Sequence, residues 1–427
     1  MRKLIGGIRR VAVNWLSLDR MEDRFNVLAL NYFFLMIYYT LESVYLNTLL
    51  LRISGNDMYV VFTYRCLYFA TSAVGNLFCS AFSKRIHPVF AVRAGGMAYA
   101  AMFLVLFALT NSLTLPLMYF IGTLSGLAGG IYWAGHNVLL THYTSPGNRG
   151  LGLGICGTIQ GILTLVVPLV SGLVIDSMPG MSGYRLMFGV AVATIIIQAR
   201  FMKRLETVTR SHRPREFLFA FKLAFKRLSL RMMLASEFVR GFRDGVFTFF
   251  LNILLFEFIS NEFLVGFNSF LSGVLSILGN QVYGKIATQE RRPRLTALAT
   301  TVLFLLACVL LLSLNAGTVV FFTVVNAFCS YFIVNSVMNN SFDLFAGNET
   351  LRSVMTELMG FRELALDVGR ISGIVVVALF PKNGAGYVYA MLTLIASQYA
   401  VPLLLSAMRR IENRGLDKEA PGELPAE

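Results

Sequence analysis

Acidic and basic side chains stand together in the middle of a long apolar stretch of this sequence. The segment EFVRGFRDGVF contains four of them: Glu237, Arg240, Arg243 and Asp244. On a helix, three of the four fall within about 60° of one another, and Arg243 occupies the next position round. A charge near the centre of a membrane-spanning helix costs about 2.5–3.5 kcal/mol, so four unpaired charges would cost roughly 10 kcal/mol. We therefore expect these side chains to be paired and to face the interior of a helix bundle.

A second segment, FRELALDVGR, repeats this arrangement with three charges on one helix face and a fourth beside them: Glu363, Asp367, Arg370 and Arg362. Pairing of Asp367 with Arg243 across the two segments would offset the desolvation cost of both partners. Pairing of Asp244 with Arg370 would do the same. The alternative is that buried arginine–acid pairs only lock helices together, without a part in function.

Only carboxylates and histidine can carry a transported proton here, because arginine stays charged at physiological pH. The predicted proton-coupling residues are three carboxylates near the centres of their apolar stretches: Glu42, Asp244 and Asp367. The charged residues nearer one end of their stretches are predicted to form a gate or salt bridges: Glu237, Arg362 and Glu363.

Polar residues in the other apolar stretches are predicted to face a substrate or a cavity. Glu42 shares its helix face with Asn31, Tyr38 and Tyr45, which frame the carboxylate with two phenols. The remaining candidates are Arg65, His136, Asn137, Arg240, Arg243 and Arg370. The structural alternatives are that the two tyrosines only pack between helices and that His136 is a satisfied interior histidine.

The elements that position these residues are membrane helices. The chain is 56% hydrophobic and 14% charged, against about 25% charged in ordinary soluble domains. Apolar runs of membrane-spanning length recur throughout: Phe25–Leu51, Tyr59–Phe82, Val89–Thr110, Leu115–Leu140, Gly150–Ile175, Leu186–Phe201, Met232–Phe256, Phe263–Lys285, Leu295–Leu314, Thr318–Asn340, Met359–Phe380 and Tyr387–Met408. The predicted fold is an all-α polytopic membrane protein with 12 transmembrane helices.

Most of the 37 lysines and arginines lie in the even-numbered loops between these spans and in the two terminal segments. The positive-inside rule then places both termini in the cytoplasm, with the protein in the plasma membrane. The net charge of +14 reflects this topology and contact with anionic lipids, and predicts no nucleic-acid partner. The expected organisation is an amphipathic segment (1–24), a six-helix bundle (25–201), a basic linker (202–231), a second six-helix bundle (232–408) and a disordered cytoplasmic tail (409–427).

Two internal sequence matches indicate that the bundles are a duplicated unit. YLNTLLLRISGNDMYVVF, residues Tyr45–Phe62, matches FLNILLFEFISNEFLVGF, residues Phe250–Phe267, at one constant offset. At nearly the same offset Arg149, Gly157 and Gln160 correspond to Arg352, Gly360 and Glu363. Similar offsets in separate stretches predict two pseudo-symmetric six-helix bundles.

Twelve spans in two parallel halves resemble the major facilitator superfamily, from about Phe25 to Met408. The loop after span two keeps the family's glycine and basic cluster in GNLFCSAFSKRIHP, but not its acid. The matching loop of the second half is GNQVYGKIATQERRPR. Span five, GILTLVVPLVSG, is similar to the antiporter motif, although Pro168 lacks the usual preceding glycine. The resemblance implies a ligand site at the interface of the two halves.

The predicted function is secondary transport by alternating access, coupled to protons, of a small molecule or drug-like amphiphile. The alternative is a lipid or glycolipid flippase of the same fold, which the 36 phenylalanines permit. An enzyme is disfavoured because the sequence has no HExxH, P-loop or Gly-x-Ser-x-Gly motif, and His136 lacks metal-ligand spacing. No cofactor or metal is predicted. The expected partners are the substrate, protons and membrane lipids, and the expected state is a monomer.

Overall fold

A computed structural model describes residues 18–55, 57–82, 85–144, 148–206, 216–259, 262–346, 348–381 and 383–414. Most of the predicted amphipathic segment 1–24 lies outside these ranges, as do the middle of the linker and the tail from residue 415 onward. The predictions for those segments therefore remain predictions.

The regular structure of the described residues is helical throughout. The first half contains α1 (Asp23–Ser54), α2 (Met58–Ala81), α3 (Pro88–Leu109), α4 (Leu115–His142), α5 (Arg149–Ser177) and α6 (Ser182–Met202). The second half follows with α7 (Glu216–Lys226), α8 (Leu228–Ile259), α9 (Glu262–Ile286), α10 (Arg292–Leu312), α11 (Ala316–Ala346), α12 (Glu349–Ser353), α13 (Met355–Ala378), α14 (Gly384–Ser397) and α15 (Ala400–Arg414).

Nine helical segments within the described residues are long and apolar enough to cross a membrane. They comprise α1, α3, α4, α5, α6, α9, α10, α11 and the pair α14–α15. The all-helical membrane fold predicted from the sequence is thereby confirmed. The helices α2, α8 and α13 are of similar length but more polar, because they hold Arg65 and the two charged segments.

The outside of the molecule is apolar, the reverse of a soluble protein. Large side chains on several helices expose more than half of their surface: Leu104, Phe120, Ile196, Leu298, Leu305 and Phe321. An exposed apolar surface of this extent is stable in contact with lipid chains but not with water.

Local sequence explains where several helices begin and end. The carboxylate of Asp57 accepts a hydrogen bond from the Tyr59 N–H at 2.9 Å and caps α2. Asn383 caps α14 in the same way through the Gly386 N–H at 2.8 Å. Gly55 ends α1 with φ of +67°, a left-handed conformation that glycine adopts without steric cost.

The last predicted span, Tyr387–Met408, is not one continuous helix. It breaks into α14 and α15 at Gln398 and Tyr399. Pro402 lies four residues after Gln398, and a proline has no N–H to donate to the carbonyl at that distance. The Gln398 carbonyl bonds instead to the Val401 N–H at 3.0 Å, in a tighter turn. The Gln398 side chain donates to the Val239 carbonyl of α8 at 2.7 Å.

The helices form two bundles, α1–α6 and α8–α15, and two helix pairs make the most extensive contacts between them. α2 packs on α13, and α5 packs on α9. In the predicted order of spans these are the second with the eleventh and the fifth with the eighth. In the predicted repeat, span two corresponds to span eight and span five to span eleven, so the two pairs occupy equivalent positions; the repeat itself stays a prediction.

Glycines let α13 and α8 approach closely. A Cβ atom at Gly369 or Gly373 would collide with the carbonyl oxygen of Phe238 or Phe242 on α8. The reverse contacts place Gly241 against the Leu366 carbonyl. Small residues at such crossings allow backbone contact between membrane helices.

We expect Gly373→Ala to lower the free energy of unfolding by about 1–3 kcal/mol, because the added methyl group overpacks this contact. The matched control is Gly284→Ala on α9, where a Cβ atom would meet nothing within 4 Å. There the higher helix propensity of alanine predicts no loss of stability. Thermal melting of both detergent-solubilised variants checks the difference. Equal melting temperatures would contradict the close α8–α13 contact.

Candidate functional site

The two charged segments meet because α13 lies between α8 and α2. The close glycine contacts described above set α8 and α13 at short range, with the charged stripe of each helix near the other. The charges therefore lie in the protein interior, as the sequence predicted.

Glu237 on α8 is fully buried and holds two arginines. Its Oε1 atom accepts a hydrogen bond from Arg362 Nε at 2.5 Å, and its Oε2 atom lies 2.8 Å from Arg240 Nη2. Arg362 also donates to Glu363 at 2.8 Å. Since Arg362 belongs to α13, this cluster ties together two helices of the same bundle, which favours a structural role.

Asp367 and Arg370 form an ion pair within α13. Arg370 Nη1 lies 2.7 Å from Asp367 Oδ1, while Asp367 Oδ2 is sealed from solvent and has no partner of standard geometry among the described residues. Ser72 of α2 is near enough to interact with this carboxylate. The Arg370 guanidinium lies 5.1 Å from the centre of the Phe69 ring of α2. The pair therefore lies where the two bundles meet. The Asp367 side chain is 1% exposed and that of Arg370 is 28% exposed, so the arginine borders open space.

Arg243 has partners on two helices. It pairs with the adjacent Asp244 at 3.3 Å, and its Nη2 atom bonds to Asn326 and, at 2.7 Å, to Ser330 of α11. Its guanidinium also lies 4.7 Å from the centre of the Phe247 ring. These contacts hold the Nη1 and Nη2 atoms of Arg243, whereas its buried Nε has no partner among the described residues. The Asp244 side chain retains 20% exposure.

The predicted cross-pairs are not the ones that form. Asp367 pairs with Arg370 of its own helix and not with Arg243, and the ion pair joining α8 to α13 is Glu237–Arg362. The expectation that the charges are paired is confirmed, but the choice of partners depends on the relative rotation of the helices, which the sequence pattern does not contain.

Glu42 on α1 is buried without an arginine partner among the described residues. Its Oε1 atom accepts a hydrogen bond from the Ser125 hydroxyl of α4 at 2.5 Å, and Oε2 has no partner of standard geometry. Tyr64 and Arg65 of α2 are near enough to act on its charge. Glu42 thus stands at the contact of three helices.

Arg65 bonds to amide and carbonyl oxygens and forms no ion pair with Glu42. Its Nε atom donates to Asn47 Oδ1 at 2.9 Å, and its Nη2 atom lies 3.4 Å from the Ser43 carbonyl. Three aromatic rings surround it, one of them Phe249 of the second bundle. Arg65 is therefore a second point of contact between the bundles.

The stripe of Asn31, Tyr38 and Tyr45 faces neighbouring helices of the first bundle. The Tyr38 hydroxyl donates to Gln198 of α6 at 3.1 Å, and the Gln198 amide donates to the Asn31 carbonyl at 2.9 Å. The Tyr45 hydroxyl donates to the Pro168 carbonyl of α5. All three are fully buried or nearly so. Their predicted contact with substrate stays a prediction, and the geometry favours the packing alternative.

His136 lies in an aromatic cluster on α1 and α4. Its ring stacks on Tyr32 with centroids 5.1 Å apart, and Trp133 meets it edge-on at 5.4 Å. The Nδ1 atom is sealed and has no hydrogen bond to a described residue. Asn137, the next residue, is half-buried, as is Trp133. The cluster continues from Trp133 to Tyr39, with ring centroids 6.4 Å apart.

Several residues that complete these contacts were not predicted from the sequence. Asn326 and Ser330 hold Arg243, Asn47 holds Arg65, Ser125 holds Glu42 and Gln198 holds Tyr38. All are amide or hydroxyl side chains inside apolar helices. A search for such residues, besides charged ones, would have found them.

Tyr39 was also missed, although it lies close to Arg65, Arg370 and Tyr68. It comes from α1, whereas Arg370 comes from the second bundle, so Tyr39 stands between the halves. The residue is half-buried.

Residues 24–374 match the model of the Major Facilitator Superfamily. An uncharacterised protein of Bacillus subtilis (strain 168), YqgE, is 23% identical over 308 residues, which cover 70% of each chain. A second uncharacterised protein, encoded in the sodM 3' region of Geobacillus stearothermophilus, is 30% identical over 114 residues, 27% of this chain and 52% of that protein.

Solved structures of the same fold include the nucleoside transporter NupG. The chain superimposes on a point mutant of NupG with a TM-score of 0.67, covering 90% of this chain and 100% of that one, at 13% identity. The unmutated NupG gives a TM-score of 0.64 with 91% and 100% coverage, also at 13% identity. At this level of identity the likeness shows the fold.

Proposed function

The chain belongs to the Major Facilitator Superfamily, and on this premise we propose that it is a proton-coupled secondary transporter of a small organic molecule. The observation that carries the coupling is the Asp367–Arg370 pair at the contact between the two bundles. A carboxylate there can hold either an arginine or a proton, so protonation is linked to how the bundles meet.

The supporting geometry is the asymmetry of this pair. Asp367 is enclosed, with one oxygen bonded to Arg370 and the other without a partner of standard geometry among the described residues. Arg370 borders open space and touches Phe69 of the opposite bundle. A proton on Asp367 would release Arg370 to move or to bind a substrate anion. Glu42 and Asp244 are proposed as further proton-carrying groups, because each is a carboxylate enclosed among helices.

The proposed topology has α2, α8 and α13 as membrane spans in addition to the nine apolar segments. The nine segments would shield these three more polar helices from lipid. With twelve spans, both termini lie in the cytoplasm, the bundles are residues 25–201 and 232–408, and residues 202–231 connect them. The protein is proposed to act as a monomer in the plasma membrane.

The linker helix α7 supports this topology. Leu218, Phe221 and Phe225 are exposed, and so are the neighbouring Lys222 and Lys226. Phe217 packs against Phe361 of α13 with ring centroids 5.1 Å apart. Exposed aromatic rings beside lysines suit the interface of an anionic membrane, which is where a cytoplasmic linker lies.

The test is a screen in liposomes that contain the purified protein and a trapped pH indicator. Pools of small molecules are added outside under an imposed pH gradient, and substrate-dependent proton movement is recorded against empty liposomes. The proposal predicts proton movement with at least one class of compound. Accumulation of a substrate without proton movement would overturn the coupling but leave a transporter.

The flippase alternative is tested in the same liposomes, with fluorescent-headgroup phospholipid and glycolipid and an impermeant quencher. The relatives and structures compared above lend it no support, so we expect no headgroup exchange beyond that of empty liposomes. Rapid exchange by folded protein would replace the small-molecule proposal with lipid movement.

A further inference from the structure

The charge pattern around Arg65 indicates the substrate class. Arg65 lies in α2 and is almost fully enclosed, since its exposure is 6%. Each of the four arginines in the charged segments of α8 and α13 bonds to a carboxylate: Arg240, Arg243, Arg362 and Arg370. In the described part of the chain, Arg65 has no carboxylate within the 4.0 Å of an ion pair.

The guanidinium of Arg65 donates only some of its hydrogen bonds to the protein. A guanidinium has five N–H donors, and only two bonds to described residues are made, through Nε and Nη2. The Nη1 atom donates to none of them, yet it is not sealed from solvent as Nε of Arg240 and Nε of Arg243 are. The Nη1 edge of Arg65 therefore has free hydrogens and keeps some accessible surface.

The surroundings of this edge are aromatic. The rings of Tyr64, Tyr68 and Phe249 have centroids 5.6, 5.6 and 5.7 Å from the guanidinium carbon. These rings fix the guanidinium through cation–π contacts without neutralising its charge. Phe249 belongs to α8, so the arginine is caged by both bundles.

Further aromatic side chains lie beyond the three rings that surround Arg65. Tyr39 lies close to Arg65 and Tyr68, and its ring centroid is 6.4 Å from that of Trp133. Tyr39 and Trp133 are both half-buried, so neither residue is completely covered by the protein. These two rings pack edge to face, with an interplanar angle of 83°, so a flat apolar ligand would lie along them and not between them.

We infer that the substrate is an organic anion with a flat apolar body, whose carboxylate or similar group binds the free edge of Arg65 while its body lies along Tyr39 and Trp133. Because it names a substrate, the inference rests on the proposed transport function. The binding experiment that tests it does not require transport. A guanidinium binds a carboxylate through two parallel N–H bonds, and burial strengthens them. A cationic substrate is disfavoured at this edge, because it would meet the like charge of Arg65.

The test is binding measured without transport. The chain has two tryptophans, so Trp15→Phe leaves Trp133 as the reporter in detergent-solubilised protein. Three probes share one ring and differ in charge: benzoate, benzamide and benzylammonium. We expect a saturable change in Trp133 emission with benzoate, and binding of the other two at least about tenfold weaker, because a bond to a charged group is stronger than a bond between neutral groups.

Substitution supplies the second arm. Arg65→Gln is expected to weaken benzoate binding at least about tenfold, and Arg65→Lys to retain part of it, because lysine keeps the charge but not the two-pronged geometry. The control is Arg93→Gln, since the bonds that Arg93 on α3 makes are to backbone carbonyls, those of Met202 and Lys203. It should bind benzoate as the parent does.

The outcomes separate this inference from the proposed function. Equal binding of benzylammonium and benzoate, or unchanged benzoate binding in Arg65→Gln, would overturn the assignment of an anion to Arg65. So would the absence of any saturable signal in folded parent protein. If benzoate binds at Arg65 but no anion moves protons in liposomes, the binding site stands and the coupled-transport proposal fails. If neutral or cationic compounds drive proton movement and benzoate does not bind, the coupled-transport proposal stands and the anion site at Arg65 fails.

Discussion

Glu237→Gln is expected to lower the free energy of unfolding by about 3–5 kcal/mol, the usual cost of removing one partner from a buried ion pair. Glu237 has no exposed surface, and both of its carboxylate oxygens lie within ion-pair distance of an arginine. Glutamine keeps the shape but leaves the charge of Arg240 buried without an acid. Unfolding by denaturant in detergent micelles, followed by Trp fluorescence or size exclusion, measures the loss.

The matched control is Glu290→Gln on the surface. Glu290 pairs with Arg409 at 2.6 Å, nearly the distance of the Glu237–Arg362 pair, but its side chain is 75% exposed. Exposed ion pairs contribute about 0–1 kcal/mol, so the same chemical change should have little effect there. Similar losses at both positions would show that the Glu237 cluster is not sealed from water.

A double-variant cycle separates pairing from burial. If Glu237 and Arg362 hold α8 against α13 through each other, removing both should cost less than the sum of the two single changes. Additive losses would mean that each residue acts through other neighbours. Since both helices belong to one bundle, the cluster is expected to affect folding more than alternation between states.

Much of the fold followed from the sequence, because membrane helices leave a simple signal. Apolar runs of about 20 residues predicted the helices, and charges on one face predicted which face turns inward. The break at Gln398 was not predicted, although Pro402 marks it. A proline inside an apolar run leaves one backbone carbonyl without its usual N–H donor. The sequence does not show whether neighbouring groups satisfy that carbonyl and keep the helix continuous.

The candidate site was predicted less completely, for a physical reason. The polar stripe of Tyr38 and Tyr45 shows that a face needs polar partners, but not whether those partners are substrate or protein. Gln198 on α6 and the Pro168 carbonyl on α5 supply them within the bundle. Tyr39, by contrast, does not belong to the polar stripe predicted on α1, yet it lies between the bundles near two arginines. Partner identity depends on helix rotation and crossing, which periodicity does not encode.

Asp367→Asn is expected to reduce substrate-dependent proton movement in liposomes to the level of liposomes without protein, while the variant still folds. Asparagine has nearly the shape of the protonated acid but cannot exchange a proton, so the site is held in its neutral form. Its stability should suffer less than that of Glu237→Gln, because Arg370 is 28% exposed and water can solvate the charge that remains. The readout is the trapped pH indicator, with the most active compound of the small-molecule screen.

The control for this change is Asp343→Asn. Asp343 also pairs with an arginine, Arg292 at 2.5 Å, but its side chain is 47% exposed at the end of α11. It should leave proton movement unchanged. Proton movement at the parent rate in Asp367→Asn would remove this residue from the coupling path and leave Glu42 and Asp244, tested by the same amide changes. Glu42 is then the stronger of the two, because it has no arginine partner among the described residues, whereas Asp244 is held by Arg243.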